Sequence, residues 1–161
     1  MRMIGGRIRA AGGWLRSGGA AGADRAFEEG AQDRCLVYLP WPMKGDEIRF
    51  HRLTGARCVA FDDAPDTAKD AARKSVDQYH PAPERLSFTG RRLHSRNYFQ
   101  VMGFNEQPVS AVVCWTPTVG GRPQGGTAQA IRIANSLDIP VYNMAMERWG
   151  DPEKVLERLG V

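Results

Sequence analysis

The stretch "LRSGGAAGADRAFEEGA", residues 15–31, decides how the rest of the chain reads. A short apolar run enters it, four glycines and five alanines crowd around Asp24, and a helical pattern leaves it. In a parallel α/β sheet ligands bind at the carboxyl ends of the strands, where a following helix offers free N–H groups and the positive end of its dipole. Ser17, Gly18, Gly19 and Gly22 fall in that turn. Glycine and alanine let the backbone approach an anion closely, Ser17 adds a hydroxyl, and Asp24 either caps the helix or accepts from a ribose hydroxyl. The simpler reading is that the glycines only make a tight strand-to-helix turn.

Outward from this segment, apolar runs and helical patterns alternate. "WLRSG" (14–18), "CLVYLP" (35–40), "RCVAF" (57–61), "VSAVVCW" (109–115) and "PVYNM" (140–144) read as strands. Residues 23–33, 65–80, about 92–103, 126–137 and 151–159 read as helices, and 2–12 as a helix weakened by Gly5 and Gly6. Asp66 is a plausible cap, and Asp151 caps the last helix with Pro152 at its first position. This order predicts an α/β fold, a mostly parallel sheet with helices on both faces. With no linker or repeat, residues 1–161 are expected to form a single domain.

A second loop strengthens the case for a ligand. "TPTVGGRPQGGTAQAIRIA" (116–134) also lies between a strand and a helix, so Gly125, Gly126 and Thr127 present N–H groups and a hydroxyl at a helix start. Ala128, Ala130, Ile131, Ile133 and Ala134 supply the packing face. No lysine follows the glycines and the spacing is not GxGxxG, which excludes a nucleoside-triphosphatase loop and the dinucleotide fingerprint.

Composition bounds the alternatives. The chain has 161 residues, 42% of them apolar, and a formal charge of +4. No apolar run reaches the roughly 18 residues of a membrane span, and "MRMIGGRIRAAGG" has no signal-peptide core, so no membrane contact and a cytoplasmic location are expected. Arginine far outnumbers lysine, which tilts towards a phosphate-bearing partner, small or polymeric. Cys35, Cys58 and Cys114, an odd count without CxxC spacing, read as buried reduced thiols, and neither metal nor cofactor is expected. His51, His80 and His94 read as surface or hydrogen-bonded side chains, His94 being notable for its closeness to Arg96. Trp14 reads as a core anchor and Trp115 as core or pocket wall, while for Trp41 core packing and base stacking stay open.

"LRSGGAAGADRAFEEGA", "RNYFQVMG" and "SAVVCWTP…GGTAQAIRIANSLDIPVYN", in that order, resemble phage and bacterial members of the SLOG superfamily, the Rossmann-like group containing the DNA-processing protein DprA/Smf and the Lonely Guy phosphoribohydrolases. The resemblance covers most of residues 14–144. It implies a Rossmann-like fold and a nucleotide or nucleotide-like ligand held between the first loop, the pair Arg96-Asn97 and the "GGT" helix start. Relatives begin with a strand ahead of the first helix, whereas this sequence starts at or inside that helix; the expectation is an exposed sheet edge covered by another chain, hence a homo-oligomer. Lonely Guy enzymes carry a glutamate three residues after the threonine of their glycine motif. Here that position is Ala130, which argues against phosphoribohydrolase activity and leaves any enzymatic role open.

Three functions are therefore carried forward: a module that senses or sequesters a nucleotide-derived small molecule, which is favoured; a DprA-like protein binding single-stranded DNA; and an N-glycosidic hydrolase, which rests on fold kinship alone.

Overall fold

In the computed structural model, which describes the backbone of residues 1–161 and every side chain except those at positions 46 and 47, β1 (Leu15–Ser17), β2 (Cys35–Leu39) and β3 (Arg57–Ala60) form a parallel sheet in that order. Leu15 stands opposite Cys35, and Leu36 opposite Arg57. β2 buries both faces, as the middle strand of a parallel sheet must. Val37 and Leu39 pack with Ala31 and Cys35, while Tyr38 packs with Phe61 and Phe99. The chain is mixed α/β.

The remaining strands form separate sheets. β4 (Val112–Cys114) pairs in parallel with β7 (Val141–Asn143), and β5 (Thr118–Val119) with β6 (Arg122–Pro123) makes an antiparallel hairpin inside the second glycine-rich loop. Among the described residues no strand of the first sheet pairs with β4 or β7. Side chains join the two halves instead. On one side Leu15 and Val113 pack against a cluster of Ile4, Phe27, Tyr142, Val155 and Leu156. Elsewhere Arg16 Nη1 donates to the carbonyls of Gln107 (2.8 Å) and Val101 (3.2 Å).

The helices are α1 (Arg2–Ala10), α2 (Ala23–Ala31), α3 (Arg49–Thr54), α4 (Asp66–Tyr79), α5 (Phe88–Met102), α6 (Thr127–Ser136) and α7 (Pro152–Leu159). Gly5 and Gly30 let α1 and α2 meet backbone to backbone: a Cβ built on Gly30 would lie 2.0 Å from the carbonyl oxygen of Arg2. None of the helices is long and apolar enough to cross a membrane.

Several boundaries differ from the sequence reading for local reasons. The expected strand 109–115 narrows to three residues, because the Val109 N–H bonds to the Val101 carbonyl (2.9 Å) and so belongs to the end of α5. α5 starts early, at Phe88, where Ser87 Oγ accepts from the Gly90 N–H. Asp66 lies within the first turn of α4 and pairs with Lys69, so it does not cap the helix. Asp151 does cap α7, accepting from the Glu153 N–H at 3.0 Å. Trp14 is exposed beneath the Arg34 guanidinium and does not anchor the core. Trp115, 53% exposed, is likewise outside it.

Candidate functional site

Both glycine-rich segments sit where strand passes to helix, and their hydrogen bonds distinguish them. In the first, between β1 and α2, the donors are already engaged. Asp24 Oδ2 accepts from the N–H of Gly18 (3.1 Å) and of Ala20 (3.2 Å), and Ser17 Oγ accepts from that of Gly19 (3.1 Å). A carboxylate from the turn's own helix occupies the place an external anion would take. The glycines have separate causes. A Cβ on Gly18 would fall 1.8 Å from Arg96 Nη1, so that residue makes room for a guanidinium. Gly19 and Gly22 have φ of +69° and +92°, a region open to glycine at little cost.

The second segment, between β4 and α6, has no such internal acid. Its stem is locked by Asn143, whose side chain accepts from the Thr116 N–H (3.0 Å) and donates to the Thr116 carbonyl (2.8 Å). The loop then crosses the β5–β6 hairpin to Gly125, with φ of +69°, and Gly126, which begins α6. The packing face expected for α6 is present: Ala128, Ala130, Ile131, Ile133 and Ala134 are all buried.

Arg96 and Asn97 of α5 lie between the two segments. Arg96 is 8% exposed, abuts Gly18, and donates from Nη1 to the Tyr38 carbonyl at 3.3 Å, while its Nε has no partner among the described residues. Burial pulls its pKa down, and the nearby Asp24 opposes that shift. Asn97 Nδ2 donates to the Gly126 carbonyl (3.0 Å), tying α5 to the start of α6. The dipeptide thus reaches both loops.

Beside the α6 start opens a cleft of about 740 Å³ whose wall includes His80, His94, Arg122, Gly125, Gly126 and Arg132. Among the described residues no aspartate or glutamate lines it. Gly125 and Gly126 therefore face this cleft, whereas Ser17, Gly18, Gly19, Gly22, Asp24, Arg96, Asn97 and Thr127 are not in its wall. The two histidine rings meet edge to face with centroids 4.6 Å apart. His80 Nδ1 accepts from the Ala82 N–H (3.2 Å), and His94 Nδ1 is buried without a partner among the described residues. Burial, then His80, Arg132 and Arg96, hold the His94 pKa below its ordinary value. A cleft with this wall favours anions.

Sequence reasoning did not single out His51 as a site. The residue is 2% exposed, and its Nδ1 lies 2.8 Å from each carboxylate oxygen of Glu28, a side chain with no exposure at all. Thr54 Oγ1 donates to the same carboxylate at 2.6 Å. The cysteines are free, and burial raises their thiols, Cys58 and Cys114 to about 11 and Cys35 higher still. Cys58 is half-buried rather than enclosed.

Compared with protein-family models, curated proteins and solved structures, the chain matches none. Function is therefore argued from the site's chemistry.

Proposed function

We propose that this chain is a binding module for a phosphate-bearing nucleotide derivative, with the phosphate at the start of α6 and a SLOG-type, Rossmann-like arrangement of the two loops around it. One observation carries the reading: the cleft of about 740 Å³ combines Arg122, Arg132, two histidines and the amino end of α6 with, among the described residues, no carboxylate in its wall. Helix amino termini and guanidinium groups are the usual means of holding phosphate. Gly126 takes an ordinary helical φ of −62°, so the close backbone approach, and not a special conformation, is what its missing side chain supplies. A homo-oligomer, with another chain covering the free edges of β1 and β4, belongs to the same proposal.

Calorimetric titration with adenosine monophosphate and with inorganic phosphate tests the reading. Arg132→Ala is expected to weaken both at least tenfold, the order of one charge-assisted hydrogen bond, and an unchanged affinity would overturn it. Single-stranded DNA is the competing ligand. Binding whose logarithm falls steeply with the logarithm of salt, by about 0.7 for each phosphate contacted, would favour the polymer.

A pH dependence follows from His94. Its pKa is depressed in the free protein, so the ring is neutral at pH 7, and an anion bound beside it raises that pKa; binding takes up a proton. Affinity must then grow as pH falls through the window below about 6.5. Sulfate does not titrate there and is the clean probe: it is expected to bind more tightly at pH 5.5 than at pH 8, and His94→Gln to flatten the difference.

A further inference from the structure

We infer that the β5–β6 hairpin is a hinged arm that closes on the cleft and lays the Arg122 guanidinium on the bound phosphate; this rests on the phosphate-bearing ligand read for that cleft. The arm is separate from both parallel sheets. Its own bonds are few. Thr118 stands opposite Pro123 and Val119 opposite Arg122, the Gln124 N–H donates to the Pro117 carbonyl at 3.0 Å, and the Gln124 side-chain amide donates to the Arg122 carbonyl at 2.8 Å. Among the described residues, the one hydrogen bond that joins residues 117–124 to the rest of the chain is at the base, where Thr116 Oγ1 donates to the Gln124 carbonyl at 2.8 Å.

Both ends of the arm are anchored. Asn143 holds the Thr116 backbone from β7, and Asn97 holds the Gly126 carbonyl from α5. Gly125 is the residue left between the arm and that second anchor. Its φ is +69° and a Cβ built there meets nothing within 4 Å, so glycine serves here for its backbone freedom and not for packing. A swing about the line from Thr116 to Gly125 moves residues 117–124 as one piece and leaves the anchors where they are. The arm supplies Arg122 to the cleft wall while the body of the protein supplies His80, His94 and Arg132, so the swing sets the width of the cleft. Charge gives it a direction. Arg91 and Arg92 are each held by a carboxylate, Asp77 at 2.9 Å and Asp62 at 2.7 Å, whereas the exposed Arg122 side chain has no bonded partner among the described residues. With Arg132 in the same wall and, among the described residues, no carboxylate there, like charges hold the empty cleft open. A dianion between them reverses the sign. Because the Arg122 contact exists only in the closed arrangement, it gives the ligand the differential affinity that a change of state requires.

Residual dipolar couplings of the backbone amides, measured with saturating inorganic phosphate and with chloride at the same ionic strength, read the orientation of the arm against α6 and β7. In wild type the couplings of residues 119–122 are expected to change as a set when phosphate is added, while those of α6 and β7 stay. Arg122→Gln, an exposed substitution that leaves the fold intact, is expected to bind phosphate about tenfold more weakly and, at a concentration that saturates it, to keep the arm in its phosphate-free orientation. Phosphate that shifts the Gly125 and Gly126 amides of wild type without turning the arm overturns the inference and leaves the cleft reading standing. An arm that turns equally in Arg122→Gln overturns it too, because the guanidinium then drives nothing. If phosphate shifts no amide of the cleft, the cleft reading fails and the arm's role fails with it.

Discussion

Glu28→Ala is expected to lower the free energy of unfolding by about 3–5 kcal/mol, the usual effect of removing one partner from a buried polar pair. The carboxylate is wholly enclosed and serves as acceptor for both His51 Nδ1 and Thr54 Oγ1. Without it His51 Nδ1 and the Thr54 hydroxyl lose their shared buried partner, and a buried polar group left unsatisfied carries its desolvation cost. Alanine also leaves a void. Glu28→Gln retains an oxygen for the Nδ1–H and is expected to lose less than half as much. Urea unfolding of the two variants checks the order, and a loss under about 1 kcal/mol in Glu28→Ala would show that the pair is not structurally coupled.

The second large effect concerns two glycines that look alike in the sequence and differ in the fold. Gly30→Ala puts a methyl 2.0 Å from the Arg2 carbonyl oxygen and 2.7 Å from the Gly6 nitrogen. Both are backbone atoms, so α1 must move away from α2, and a cost of about 2–3 kcal/mol is expected. Gly6→Ala meets nothing nearer than 3.9 Å and sits mid-helix, where alanine is the better residue. It is expected to stabilise by about 0.5–1 kcal/mol. Thermal unfolding of the pair should shift in opposite directions, and shifts of the same sign would contradict the helix crossing described.

How far the sequence could be read follows from which signals are local. The five strands named from apolar runs and the helices around α2, α4, α6 and α7 depend on periodicity and caps, and each appears within a few residues of its expected place. The six-residue α3 carries no such pattern, and with it went His51. One local sign was available: Glu28 lies four residues after Asp24 and three before the buried Ala31, between Phe27 and the α1 contact at Gly30, so α2 carries a carboxylate on its buried stripe. A buried carboxylate demands a partner. The partner came from a segment 23 residues away, and no spacing rule supplies it. The role of Asp24 was visible only as two alternatives, cap or ligand group, because which N–H it meets depends on the turn's backbone. Gly18 was legible as a glycine and illegible in its cause, since Arg96 reaches it from α5. The cleft's histidines stand 14 residues apart in sequence and come together only where α4 ends against α5.

The division between β1–β2–β3 and β4–β7 has a mechanical consequence. A continuous sheet is stiff across its strands because every residue step repeats a backbone hydrogen bond; here that ladder stops between the halves, and the Arg16 and Asn97 contacts with the apolar cluster around Ile4 carry the load. One glycine-rich loop rides on each half. Slow breathing between the halves would change the spacing of the loops while leaving each loop's own geometry intact. A small molecule touching both would act as a strut, and its arrival should register as slower amide exchange in β1 and β4 together, at positions it never contacts.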